Sequence, residues 1–264
     1  MSTVQESAEP IRHRKYVGSG QKYDLQAASQ FGLLTALGLR EEHTVLDLGC
    51  GSLCVGRLLI PYLAPGHYFG IDPEEWLVEA ALAQEVGRDL VTLKCPTFSN
   101  EGGFRLTVFG RRFDYILAHS IFSHTSRRQM ATAFREAREA LDPHGIFVCT
   151  FNKGDEDYTG EEWVYPGGVF FRLETVQQVA YAAGLACVEI PWTHHGKQTW
   201  VALTHPAHLD RLPALHDPMK TVLLEKRLRD VTQTLETLER QPLVRLSKRT
   251  QRLLRRFGLR RRSR

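Results

Sequence analysis

A chain of 264 residues, 42% hydrophobic and 24% charged, has the size and balance of one or two soluble domains with a sizeable core. No apolar run reaches the ~20 residues that span a bilayer and no signal peptide opens the sequence, while five scattered cysteines without a CxxC pair argue against a disulfide framework or a cysteine metal site, so the expected compartment is the cytoplasm. The formal charge of +4 hides an asymmetry: ten Lys or Arg and no acid lie between Leu243 and Arg264, leaving 24 basic against 30 acidic residues in the body.

The polar start, MSTVQESAEPIRHRKYVGSGQ, is expected to be mobile to about Ile11, and the domain boundaries are drawn as a flexible 1–15, a folded 16–206 and a helical extension at 207–264. TVLDLGC reads as a short buried strand, CVGRLLIPYL as a helix and HYFGID as a second strand ending on Asp72. EEWLVEAALAQEV has apolar residues at helical spacing, and LVTLKC is read as a weak third strand. RFDYILAHS is a buried strand, and SRRQMATAFREAREAL an amphipathic helix with Met130, Phe134 and Ala137 on one side and Thr125-Ser126 at its N-cap. LDPHG is a turn and IFVCTF the fifth strand. Strands separated by helices of this length indicate a mostly parallel, doubly wound sheet.

Past Phe151 the segment NKGDEDYTGEEWVYPGGVFF is acidic, aromatic and rich in glycine, as an inserted loop or lid would be. The helix LETVQQVAYAAG follows, with Gly184 at its C-terminal cap. ACVEIPW and TWVALTH then read as two antiparallel strands joined by a solvent-facing tip, THHGKQ, bringing the sheet to seven strands. From Thr221, Leu224, Leu228, Val231, Leu235 and Leu238 step by 4, 3, 4 and 3, a short heptad seam suited either to packing on its own domain or to a homodimer through 224–238.

The segment VLDLGCGSLCVG, Val45 to Gly56, decides among three cofactor classes that use a glycine-rich turn after a first strand. It lacks the Gly-Lys-Ser/Thr end of a phosphate-binding P-loop, and the third glycine of a dinucleotide turn would fall on Cys54. Asp47 discriminates further, because a carboxylate there repels a pyrophosphate and suits a cofactor with an ammonium and a sulfonium group. Asp72, at the tip of the second strand, can accept hydrogen bonds from both hydroxyls of a ribose.

With VLDLGCGSLCVGRLL, YFGID, RFDYILAHSIFSH and LDPHGIFV in this order, the chain resembles class I S-adenosylmethionine-dependent methyltransferases over about Tyr16 to Thr204. The resemblance is to a bacterial branch acting on small molecules and sugars, with the Rossmann-like methyltransferase fold. It implies that Gly49, Cys50 and Gly51 admit the methionyl part of S-adenosylmethionine, that Asp47 orients its ammonium group and that Asp72 holds its ribose. Ala118 and His119 would line the sulfonium and the substrate entry, and Tyr16-Val17-Gly18 would close over the cofactor. The third glycine common in the family is replaced by Leu53, and the third strand lacks an acid for adenine, leaving Asn100, Glu101 or Phe104 for that contact.

Methyl transfer to a hydroxyl needs alignment and removal of a proton, for which histidine is suited. His119 and His124 in AHSIFSHTS are the candidate bases, with His194 and His195 read as decorating the exposed tip. The motifs expected of amino-methylating nucleic-acid enzymes, of protein-arginine enzymes and of metal-dependent catechol-type enzymes are absent, so no metal is expected. Small-molecule or glycan acceptors remain: sugars, glycolipid or polysaccharide units, and natural-product hydroxyls. Tyr158, Trp163, Tyr165, Phe170 and Phe171 could wall such a ring or pack the lid. The tail RLSKRTQRLLRRFGLRRRSR has the pattern of a segment that meets an anionic membrane surface, giving a peripheral location at the inner membrane face; the acidic body disfavours nucleic acid. The rival readings are a methyltransferase fold that binds the cofactor without transfer, as scaffold or non-methylating synthase, and an RNA methyltransferase.

Overall fold

The computed structural model describes residues 12–17, 22–215 and 217–240. The chain divides at 216/217 into two units.

The first unit opens with α1 (Arg12–Tyr16) and α2 (Tyr23–Ala36), then alternates strand and helix: β1 (Val45–Leu48), α3 (Gly56–Tyr62), β2 (Tyr68–Ile71) and α4 (Glu75–Ala81). A π-helical turn, Leu82–Val86, extends α4, and α5 (Arg88–Lys94) leads to β3 (Thr97–Ser99). After β4 (Phe113–Ala118) come α6 (Arg127–Ala140), β5 (Leu141–Lys153), a two-residue β6 (Phe170–Phe171), α7 (Leu173–Ala182), β7 (Ala186–Glu189) and β8 (Thr199–Thr204).

The strands form one sheet in the order β3-β2-β1-β4-β5-β8-β7, with β6 pairing β5 off this path. β1 to β5 are parallel, and β8 joins β5 and β7 antiparallel, as the two last apolar runs suggest. Alternation along the strands builds two cores. Leu46, Ile116 and Phe147 join the layer that holds Met130 and Phe134 of α6, while Val45, Tyr115 and Val148 join the layer that holds Leu33 of α2 and Leu59 of α3. Helix α6 starts with a capping box, in which Ser126 Oγ accepts from Gln129 N and the Gln129 side chain accepts from Ser126 N. Its buried residues include Met130, Phe134 and Ala137, the face expected from spacing, and Gly184 closes α7 at φ +78°.

Three expectations are corrected. LVTLKC is helical, in α5, and the third strand begins only at Thr97. Asp89 and Lys94 sit at the ends that suit the helix dipole, Leu93 is 64% exposed, and Pro96 stops the helix with Cys95 at φ +49°. Periodicity over six apolar-rich residues could not make that distinction. LDPHG is not a separate turn: Leu141 already pairs with Phe113, and the register shifts before Ile146 meets Tyr115. Residues 12–15 are no loose terminus either, since α1 buries His13, whose Nε2 lies 2.9 Å from Glu85 Oε1.

In the second unit, α8 (Pro218–Arg240) carries the heptad positions Leu224, Leu228, Val231, Leu235 and Leu238, each 44–67% exposed. Among the described residues no helix is long and apolar enough to cross a membrane. The basic tail beyond 240 lies outside the described residues.

Candidate active site

The turn between β1 and α3 forms the floor of the site. Gly49 N and Cys50 N donate to Ile71 O at 2.7 and 3.1 Å, which folds the turn back over the end of β2. Gly49 has φ +72°, and a Cβ there would collide with the Ile121 side chain, so a larger residue strains the backbone and must displace Ile121. Leu53, at the place of the family's third glycine, is fully buried and adopts φ +55° all the same.

Two carboxylates face this turn. Asp47 on β1 is buried and accepts from Tyr68 Oη at 2.8 Å. Burial pushes its carboxyl up to about 7, against the Tyr68 hydrogen bond, and the nearby Asp72 adds to the rise. Asp72, just beyond β2, accepts from Gly51 N through Oδ2 at 2.8 Å and from Glu74 N through Oδ1 at 2.9 Å. Burial raises its carboxyl, and the two backbone donors offset part of the rise. A carboxylate offers about four lone-pair positions, so each oxygen keeps one for a ligand hydroxyl.

A cavity of about 460 Å³ opens over this floor. Asp47, Gly49, Cys50, Gly51, Asp72, Phe104, His119 and His124, all singled out from sequence, line it together. Ala118 does not: it is fully buried in the sheet core, one residue short of the wall. Among the adenine candidates Glu101 and Phe104 line the cavity and Asn100 does not. Glu101 spends its carboxylate on its own loop, accepting from Gly103 N and Arg105 N, which leaves the Phe104 ring as the flat surface there.

The residues present fit S-adenosylmethionine. Gln30 Nε2 and Ser52 Oγ are buried on the cavity wall, and no described residue hydrogen-bonds either atom. Two orphaned polar groups that can both donate, lining the same cavity as a buried carboxylate that no described residue meets in an ion pair, match the carboxylate and ammonium ends of an amino acid. Asp72 would hold the ribose and Phe104 the adenine.

The histidines divide differently from the expectation. His194 is no surface decoration: it is part-buried, its Nε2 lies 2.8 Å from His119 Nε2, and its ring packs against Trp200 at 5.9 Å. Apolar packing of the hairpin on β4 wins over the polar look of THHGKQ. Burial pushes the His119 imidazole down to about 3, with His194 and His195 adding to the fall, so His119 does not supply a base titrating near 6.5. His124 stands apart, with Nδ1 2.9 Å from Val164 O and 2.6 Å from Gly167 O. Both partners are carbonyls, so Nδ1 carries the proton and the lone pair is on Nε2. The His124 ring is flanked by Trp163 at 5.5 Å and Tyr165 at 5.2 Å.

Sequence reasoning missed Gln30 and Arg14 on the wall, since a lone glutamine or arginine on a helix carries no motif. The insertion does act as a wall, but through Trp163 and Tyr165. Phe171 is buried in the core and Phe170 points outward at 54% exposure.

Comparison with known proteins agrees with this geometry. Residues 46–147 match a family model described as a methyltransferase domain. The fold is similar to an S-adenosylmethionine-dependent methyltransferase from Clostridium acetobutylicum, at 11% identity and TM-score 0.52 over 69% of this chain and 92% of that one. It is similar to a magnesium protoporphyrin IX methyltransferase from Synechocystis with bound S-adenosylhomocysteine, at 15% identity and TM-score 0.52 over 73% and 92%. DesVI of Streptomyces venezuelae aligns at 15% identity and TM-score 0.53 over 72% and 95%. At these identities the likeness is one of fold. A search of curated proteins finds no match.

Proposed function

We propose that the chain, whose residues 46–147 match a methyltransferase domain, is a class I S-adenosylmethionine-dependent methyltransferase and that its acceptor is a hydroxyl oxygen on a ring-bearing small molecule: a sugar, a glycolipid or polysaccharide unit, or a natural product. The observation that carries this reading is His124. Two carbonyls fix its proton on Nδ1, leaving Nε2 as a lone pair on a ring that lines the cavity, which is what removal of a hydroxyl proton requires.

When bound, S-adenosylmethionine supplies an electrophilic methyl group. The chain's own residues do the rest. Asp47 orients an ammonium group, Gln30 and Ser52 meet a carboxylate, and Asp72 fixes a ribose, so one end of the cavity is committed to holding a nucleoside and an amino acid. Tyr16, Trp163 and Tyr165, each 42–47% exposed, give the acceptor side aromatic faces on which a sugar or phenolic ring can rest. Alignment of acceptor and methyl donor supplies much of the rate, and His124 Nε2 takes the proton.

The test combines calorimetric titration with S-adenosylhomocysteine and a methyl-transfer assay on a panel of sugars, glycosides and phenols. Replacing His124 with Ala should cut turnover ~10²-fold and leave S-adenosylhomocysteine affinity unchanged. Full turnover in that variant, or transfer to none of the hydroxyl acceptors, would remove this reading.

A further inference from the structure

His119 directly follows β4, and His194 lies in the connection between β7 and β8, 75 residues away in sequence. Two backbone groups, Gly196 N and Gln198 N, donate to His194 Nδ1 at 3.0 and 3.1 Å. A nitrogen that accepts two donors carries a lone pair and no proton, so the proton of the neutral ring sits on Nε2. That Nε2 lies 2.8 Å from His119 Nε2, which must therefore accept. The His119 proton is fixed on Nδ1. The donors run in one direction, from the hairpin backbone through His194 to His119 and on to the cavity that His119 lines.

The surroundings keep both rings neutral. Trp200 packs against His119 at 5.6 Å, and among the described residues His195 and Lys22 are the titratable groups that act on the pair. Burial pushes His194 down to about 4, with His195 and Lys22 adding to the fall, as it does His119. Ser120 Oγ donates to Gln198 Oε1 at 3.2 Å, a second tie between the end of β4 and the hairpin.

The geometry points to His194 as a positioning residue that locks His119 into a donor-only state on the cavity wall, selecting an oxygen acceptor over an amine. This rests on the reading that methyl transfer occurs in this cavity. His119 and His124 share one tautomer but present opposite edges: His119 offers Nδ1–H, and His124 offers the Nε2 lone pair. A hydroxyl satisfies both. One oxygen lone pair forms the new O–CH3 bond while the C–S bond breaks, its electron pair going to sulfur. The second oxygen lone pair accepts from His119, and the proton passes to His124. A neutral amine has a single lone pair, and a nitrogen that gives it to His119 Nδ1–H has none left to attack.

The first measurement is a long-range proton–nitrogen spectrum of the full chain with 15N-labelled histidine, the two rings assigned with His119→Gln and His194→Gln. Between pH 5.5 and 8, His119 should appear as the neutral Nδ1–H form and His194 as the neutral Nε2–H form. An Nε2–H or cationic His119 at pH 7 overturns the inference and leaves the hydroxyl reading standing. In His194→Phe the freed Nε2 should give His119 a mixed tautomer and a higher titration midpoint; an unchanged His119 spectrum overturns the lock. For any hydroxyl acceptor found in the panel, the congener with –NH2 in place of –OH should react on the order of tenfold more slowly in the wild type, and His194→Phe should narrow that gap. Equal rates for the pair in the wild type overturn the selection. Absence of transfer to every hydroxyl, with the expected tautomers present, overturns the functional reading instead.

Discussion

Tyr165 donates its hydroxyl to the backbone carbonyl of Tyr16 at 2.5 Å, and both rings line the cavity. This bond ties the insertion between β5 and α7 to the N-terminal helix, two segments 149 residues apart. Tyr16 also meets Trp76 edge-on at 5.2 Å, which seats that helix on α4.

Removing the Tyr165 hydroxyl should loosen the roof without touching the floor. One hydrogen bond of this kind contributes about 1 kcal/mol, so Tyr165→Phe should release S-adenosylhomocysteine roughly fivefold faster by stopped flow. Association should hardly change, and the melting temperature should fall by only about 2–4 °C. An unchanged release rate would show that the two segments do not gate the cofactor.

The same helix is anchored from below. His13 Nε2 lies 2.9 Å from Oε1 of Glu85, a residue of the π-helical turn that follows α4, and Arg14 donates to both Glu85 oxygens at 2.5 Å. Burial would raise the Glu85 carboxyl, but the hydrogen bonds from Arg14 and His13 outweigh it and hold the group below its usual 4.5. A carboxyl lowered on folding stabilises the fold above about pH 4.5, and that contribution is lost as pH falls through the folded value. Glu85→Gln should therefore destabilise the protein by roughly 1–3 kcal/mol at pH 7 and by less at pH 3, below the usual carboxyl value. Thermal melts at the two pH values test this, and an equal loss at both would assign the effect to packing.

How much of this could be read in the sequence follows from the length scale of each signal. Asp47, Gly49 and Asp72 are legible because a turn, a close backbone approach and a strand tip are local, and each constrains residue type on its own. The Met130–Phe134–Ala137 face and the Ser126 cap are legible for the same reason. The contacts that decide the histidines are not local. His119 meets His194 across 75 residues, and His124 meets Val164 and Gly167 across 40 and 43. Neither the tautomers nor the burial of THHGKQ leaves a periodic trace. Helix α5 was hidden by composition, since Leu-Val-Thr-Leu favours a strand until the flanking Asp89, Lys94 and Pro96 are weighed.

Gly49 tests the floor of the cavity directly. At φ +72° an alanine pays about 1–2 kcal/mol of backbone strain, and its Cβ would also collide with Ile121. Gly49→Ala should lower the melting temperature and weaken S-adenosylhomocysteine binding at least tenfold. Adding Ile121→Ala should relieve the collision and restore part of the affinity but not all, because the φ strain persists. Full recovery in the double variant would assign the whole effect to Ile121.

Asp47 makes cofactor binding depend on pH. Burial holds its carboxyl at about 7 in the free protein, so near neutrality it is about half protonated. An ammonium group beside it favours the carboxylate and lowers that value in the complex. Affinity for S-adenosylhomocysteine should then be constant above pH 8 and fall below pH 7 by up to about tenfold per unit, until the lowered value is reached. Binding at pH 7 should also release a fraction of a proton, seen as different calorimetric enthalpies in phosphate and Tris. The stability effect has the opposite sign to that of Glu85. A carboxyl raised on folding costs stability as pH climbs from 3.8 towards 7, so the free Asp47→Asn protein should melt higher than wild type at pH 8 and about equally at pH 4. The amide keeps an oxygen to accept from Tyr68 but cannot balance an ammonium group, so this more stable variant should bind S-adenosylhomocysteine poorly at every pH. If it instead binds as tightly as wild type, with the pH dependence intact, the proton belongs to another group and Asp47 does not face the ammonium end.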